Sequence, residues 1–368
     1  MPRPEYLEPV HDPAFGTVLT RVTEPGQQIV EGVSCRPDYC RHRYSSAQAW
    51  NADQSLLLIA GGCSGMCFLH GQTYQPLFHR ASSHQCEWHP VDPERMICMH
   101  DQEIYIWFPR SNTTKRVFAP QGYSNFQFGP AKGNLSQDGN RLAVRARDAT
   151  GALVVFAYDL STNEKYPDIA LAELPGESTY CSISPTGRYI FCNQRMNDET
   201  NQAYIYSVDG TRVQSWEENH RPGHGDMTID VDGQDVYVGT SKAGPDRNHI
   251  IKRRLSDGFI TVLAPAGDSQ HISTRNINRP GWAFVTYGTD SRNTSKPGWV
   301  PYHQEIVALR IDGSGEVRRI VHTRSAKHDY HSQAQASPSP DGSQIIWSSN
   351  WGEAGGPVAS YVARLTWE

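Results

Sequence analysis

Hydrophobic positions come in short runs, each entered through a polar, turn-forming cluster. The runs are Ser55-Leu56-Leu57-Leu58-Ile59, Arg95-Met96-Ile97-Cys98-Met99, Arg141-Leu142-Ala143-Val144, Arg188-Tyr189-Ile190-Phe191-Cys192, Asp235-Val236-Tyr237-Val238, Trp282-Ala283-Phe284-Val285 and Gln344-Ile345-Ile346-Trp347. β-Branched and aromatic residues bounded by Gly, Pro, Asn and Asp mark them as strands. The clusters before them share a form that is clearest in Ser339-Pro340-Asp341-Gly342. Pro presets φ at one turn position and Gly permits φ > 0 at another, so the chain must reverse there. The third turn positions are 53, 92, 138, 186, 232, 280 and 341, with gaps of 39, 46, 48, 46, 48 and 61. A further strand usually follows, as in Ile104-Tyr105-Ile106-Trp107 or Glu305-Ile306-Val307-Ala308-Leu309.

Seven repeats of this length predict seven four-stranded blades. The fold class is therefore all-β, a seven-bladed β-propeller in a single domain over 1–368. The blades are expected at about 42–80, 81–120, 123–172, 176–216, 222–265, 269–324 and 329–368. An open strand edge invites association, so the ring must hide its joint. The last repeat ends on Ser360-Tyr361-Val362-Ala363-Arg364-Leu365, and an N-terminal strand over 16–23 is expected to complete that blade. The longest gap places an insertion at 288–302, a candidate wall of a site.

Composition sharpens this picture. Gly (31), Pro (24), Tyr (17) and Trp (9) are plentiful, as a turn-rich all-β chain requires. No apolar stretch is long enough to span a membrane as a helix, and no basic run points to nucleic acid. With a net charge of −5, an anionic substrate needs a local basic site. Eight cysteines fall in the close pairs 35/40, 63/67, 86/98 and 181/192. These read as disulfides of an oxidising compartment or, for 86/98 and 181/192, as small buried apolar residues on neighbouring strands. Met1-Pro2-Arg3-Pro4 shows no signal peptide and begins almost at the first strand, so a leader could have been removed ahead of it. An extracellular or periplasmic site is favoured over a cytoplasmic one, with the protein a monomer or a weak homodimer.

In a propeller the first strand of each blade lines the central channel, so residues eight to eleven positions before each turn converge on the axis. Those positions hold His84, His224, His271, His331 and Gln333, with His42 and Tyr44 in blade one, Tyr123 upstream in blade three and Tyr180 in blade four. Taken singly, each histidine reads as a surface or hydrogen-bonded loop residue. Several imidazoles near one axis point instead to a metal or to acid–base work. His224, His271 and His331 with Gln333 or Gln335 form a candidate set for Mn, Zn, Fe or a Ca-like ion. His84 reads as a proton donor or acceptor. Arg275, Arg145 and Arg195 are candidate carboxylate partners, although Arg145 and Arg195 read more readily as solvated strand ends. Asp226 is a candidate to orient His224.

The repeat, the opening His331-Ser332-Gln333-Ala334-Gln335-Ala336-Ser337-Pro338-Ser339-Pro340-Asp341-Gly342 of the last blade, Ser348-Ser349-Asn350-Trp351-Gly352 after it, and His224 and His271 resemble the seven-bladed β-propeller polysaccharide lyases of the oligogalacturonate lyase and ulvan lyase type. The resemblance implies β-elimination on a uronate-containing poly- or oligosaccharide. It implies a divalent ion, usually manganese with calcium or zinc as alternatives, held by His224, His271, His331 and Gln333. The C6 carboxylate is neutralised by that metal or by Arg275, a base removes the C5 proton and an acid protonates O4. His84, Tyr44, Tyr123 and His42 are the catalytic candidates, with Arg145, Arg195, Trp299 and Tyr302 as substrate contacts.

The alternative is a non-catalytic TolB-like propeller that binds a glycan or protein partner. A glycosidase needs two carboxylates across the channel, and the channel positions are poor in Asp and Glu. A serine peptidase needs a nucleophile elbow, and no Gly-X-Ser-X-Gly occurs.

Overall fold

The computed structural model of this chain describes residues 1–82, 84–128, 133–197, 200–217, 223–288 and 301–367. They form strands, turns and connecting segments, and no helix among them is long and apolar enough to cross a membrane. Among the described residues seven sheets, antiparallel apart from the parallel pairing of Tyr39–Cys40 with Val358–Arg364, follow one another along the chain as the blades of a seven-bladed β-propeller, beside a small hairpin of Gln28–Val30 and Val33–Ser34. Two compact units are distinguished. One comprises 1–82, 224–226 and 263–368; the other comprises 83–223 and 227–262.

The turn repeat has a local physical cause. In Ser339–Gly342 the Gly342 N–H donates to Ser339 O at 2.8 Å with φ +72°, while Asp341 Oδ1 accepts from Ser343 N at 2.9 Å and from Ser339 Oγ at 2.8 Å. Blade three repeats this, with Asp138 Oδ1 accepting from Asn140 N at 3.0 Å and Gly139 at φ +78°. The aspartate takes up a donor that would otherwise be left without a partner as the next strand begins. Blade four has Thr186 at that position, and Asp235 of the next blade serves instead, accepting from Thr186 N at 2.9 Å and Ser184 Oγ at 2.8 Å.

The last blade closes as expected. Thr17–Arg21 pairs antiparallel with Val358–Arg364, in the register Val18↔Arg364 to Arg21↔Tyr361, and Val10–Asp12 adds a further strand outside it. Blade one differs from expectation. Its sheet has three strands, Leu56–Ile59, Met66–His70 and Pro76–Arg80, and the expected inner strand is reduced to the bridges Arg41↔Gly61 and Trp50↔Leu57. The last blade opens differently too. Residues 331–333 form a turn and the strand is only Ser337–Pro338, so strand alternation does not bring 331, 333 and 335 to one face.

Neighbouring sheets are held by apolar layers, such as Ile97, Met99, Leu142, Val144 and Phe156 between blades two and three. All four close cysteine pairs are bridged: Cys35–Cys40, Cys63–Cys67, Cys86–Cys98 and Cys181–Cys192. Such a complement of bridges is consistent with an oxidising compartment.

Candidate active site

Blade two pairs Gln85–Trp88 with Met96–His100 in the register Cys98↔Cys86 and Met99↔Gln85. One position further, that register sets His84 opposite His100. Their rings stack at 4.0 Å between centroids with planes 10° apart. Alternation puts Cys86 and His84 on one face, and Cys98 and His100 on the same face. Tyr105, opposite Cys98 in Glu103–Phe108, rises from that face as well, and its hydroxyl is hydrogen-bonded to His84 Nδ1. His100 Nε2 lies 3.0 Å from Asp101 Oδ2.

His84, His100 and Asp101 border a cavity of about 390 Å³ whose wall also includes Asn125, Arg145 and Arg147. The two arginines come from alternate positions of Arg141–Arg147 in blade three. Arg145 is half-buried and donates through Nη2 to Ser178 O at 2.7 Å. Burial, followed by the neighbouring charge of Arg147, lowers its pKa, with Glu177 opposing. Burial and then His100 likewise lower the His84 pKa, with Asp101 opposing, while burial and then Glu103 push Tyr105 up to about 12. A phenol that keeps its proton is able to donate to Nδ1, and in that arrangement the imidazole proton of His84 sits on Nε2. With two arginines against the one carboxylate of Asp101, the cavity is built for an anion.

His84 and Arg145 are thus brought together, and the structure adds His100, Asp101, Tyr105 and Arg147, which the sequence reading missed. The signal was available: a hairpin that pairs Cys86 with Cys98 must also pair position 84 with position 100.

Other candidates have different surroundings. Tyr123 donates its hydroxyl to Asp168 Oδ2 at 2.6 Å, with Lys165 Nζ 5.1 Å from its ring centre. Arg195 forms a half-exposed ion pair with Glu177 on the adjoining strand. Tyr302, at φ +57°, packs its ring 5.4 Å from Tyr287. Trp299 lies outside the described residues. His42 is fully buried, its Nε2 donating to Gln335 O at 2.6 Å, and its pKa is lowered to about 3 by burial and then by Arg41.

His271 is nearly inaccessible, with His224 edge-on at 5.1 Å and Tyr44 at 5.4 Å. His224 is exposed and held at φ +49°. Arg275 is not a ready neutraliser: Nε and Nη2 grip Asp226 Oδ2 and Oδ1 at 2.8 and 3.0 Å, and the same carboxylate accepts from Thr274 N at 3.0 Å. His331 stacks on Tyr39 at 3.7 Å and meets Tyr330 edge-on. Gln333 lies in the turn before the last blade, and the side-chain oxygen of Gln335 accepts from the buried Arg41. Among the described residues no three His, Cys, Asp or Glu side chains are gathered as a metal would require. Of the set His224, His271, His331 and Gln333, the structure brings His224 and His271 together, and His331 does not join them as a third ligand.

No protein-family model matches the chain. Protein hir-1 of Neurospora crassa is 24% identical over 266 residues, and the match covers 72% of this chain but only 22% of that relative. The crystal structure of oligogalacturonate lyase from Vibrio parahaemolyticus is similar with a TM-score of 0.63 at 11% identity, over 98% of this chain and 96% of that one. A chain of the Mitotic Checkpoint Complex is similar with a TM-score of 0.52 at 12% identity, over 93% and 95%. At such identities the structural likenesses establish the β-propeller fold alone.

Proposed function

We propose that this chain is a polysaccharide lyase that cleaves a uronate-containing poly- or oligosaccharide by β-elimination, with the blade-two and blade-three cavity as its active site. The observation that carries this reading is the His84–Tyr105 hydrogen bond at the rim of a cavity that also holds Arg145 and Arg147. The similarity to an oligogalacturonate lyase structure supports it at the level of fold.

Arg145 and Arg147 bind the C6 carboxylate and stabilise the negative charge that spreads onto it when the C5 proton leaves. His100 takes that proton, with Asp101 beside it to stabilise the resulting imidazolium. His84 passes its Nε2 proton to O4 as the C4–O4 bond breaks and takes the Tyr105 hydroxyl proton at Nδ1, so it remains a neutral imidazole; after the products leave, solvent returns a proton to the phenolate and removes one from His100. The products are an unsaturated uronate at the new non-reducing end and a free hydroxyl on the other fragment. No step needs a metal. An extracellular or periplasmic location suits both the four bridges and a polymeric substrate.

The test is a screen of pectin, oligogalacturonides, ulvan and glucuronan for the ultraviolet absorbance of a new double bond, with and without chelator. We expect a signal on at least one uronate that is lost in Arg145→Ala. Silence on every uronate would overturn the assignment, and binding without turnover would mark the cavity as a glycan-binding site.

A further inference from the structure

We propose that the Cys86–Cys98 disulfide is a positioning element that holds His84 and His100 in register at the cavity rim. The inference deepens the reading above and rests on it for its catalytic meaning. Among the described residues Gln85–Trp88 is the terminal strand of its sheet and pairs only with Met96–His100. That ladder has four rungs, Trp88↔Met96, Glu87↔Ile97, Cys86↔Cys98 and Gln85↔Met99. A short terminal ladder frays from its ends, and the stacked histidines sit beyond its last rung. The bridge makes the rung before the last one covalent. It projects from the same face as the imidazoles, and Tyr105, opposite Cys98, reaches from beside it to His84. Both sulfurs belong to fully buried residues, so the tie is shielded from solvent.

The molecule supplies its own control. Cys181–Cys192 in blade four also joins directly opposed residues of adjoining strands and is also fully buried. Its Cα–Cα distance is 4.1 Å, as in Cys86–Cys98, and the sequence separations are 11 and 12. No histidine lies in Glu177–Ile183 or Tyr189–Arg195. Loss of either bridge removes a comparable tether, but only one tether carries the imidazole pair.

The experiment is an NMR titration of the His84 and His100 imidazoles in the full chain, free of substrate, with signals assigned through His84→Gln and His100→Gln. The groups facing the pair are Asp101, Tyr105, Arg145 and Arg147, and all are retained. Cys86→Ala/Cys98→Ala is expected to move His84 toward an exposed imidazole by about half a pH unit or more, as its partners drift. It is also expected to lower the elimination rate about tenfold or more, because a small misplacement of catalytic groups is costly. Cys181→Ala/Cys192→Ala is expected to leave the titration unchanged while it lowers stability. Cys86→Val/Cys98→Val fills the same space without a tether and serves if the alanine pair does not fold. An unmoved His84 titration in folded protein without the Cys86–Cys98 bridge would overturn the proposal, as would an equal shift in the control. The titration needs no substrate, so its result is independent of whether any uronate is cleaved.

Discussion

His84 and His100 lie ring over ring, 4.0 Å apart, at the open end of one hairpin. Both belong to the wall that carries Arg145 and Arg147. Two neutral imidazoles stack readily, whereas two charged ones repel, so positive charge on His100 disfavours positive charge on His84. A proton taken up by one ring and given up by the other is the bookkeeping that elimination requires.

His84→Ala should reduce elimination by about a hundredfold or more, the usual contribution of a positioned acid or base. Tyr105→Phe removes the donor to Nδ1 and should shift the pH–rate profile while the fold is retained. Rates measured across pH on the best uronate check both. An unchanged profile in Tyr105→Phe would remove the tautomer argument.

Arg145→Lys should weaken substrate binding despite keeping the charge, because an ammonium cannot grip a carboxylate through two nitrogens. We expect KM to rise about tenfold, against a change within about twofold for Arg195→Ala, whose side chain forms an exposed pair with Glu177. Steady-state kinetics on the two variants side by side give the comparison.

Asp226→Ala strands the Arg275 guanidinium in a site where both side chains are nearly inaccessible. Breaking a buried pair from one side typically costs about 3–5 kcal/mol. Urea unfolding should show that loss, and Arg275→Met added to Asp226→Ala should recover part of it. A loss below about 1 kcal/mol would contradict the buried-pair account.

Stability should fall as the solution is acidified below about pH 6.5, the ordinary imidazole value. His89 is lowered to about 4 by burial and then by Arg95, and its Nδ1 accepts from Val91 N and Asp92 N at 3.2 and 2.9 Å. His42 is lowered to about 3. Between those values and about 6.5 the unfolded chain binds protons that the native chain refuses, so acid favours unfolding. The stabilisation is complete above about 6.5 and is lost as pH falls toward 4 and 3. Melting temperatures from about pH 7 to 4.5 should drop less steeply in His89→Asn than in the parent protein.

Chelation should leave elimination unchanged, since neutralisation is assigned to arginine. Activity abolished by chelator and restored by manganese would return the His224 and His271 region to the centre of the reaction.

The repeat was legible because turn chemistry is local. Pro340, Asp341 and Gly342 act on bonds within a few residues of themselves, and the seven spaced turns announce seven blades. The cysteine pairs were legible as neighbours for the same reason, and the N-terminal strand was legible because an unpaired edge needs a partner. Individual candidates could be nominated too, His84 from its distance to a turn and Arg145 from its place at the end of a strand.

Their company was another matter. That Arg275 is spent on Asp226, that Tyr123 is spent on Asp168, and that His331 lies against Tyr39 all depend on contacts between segments far apart in the chain or on side-chain direction. Short-range periodicity carries the blades, since backbone geometry repeats with the residues that impose it. Which polar groups share a cavity was decided by register and packing across strands, where a shift of one residue sends a side chain to the opposite face.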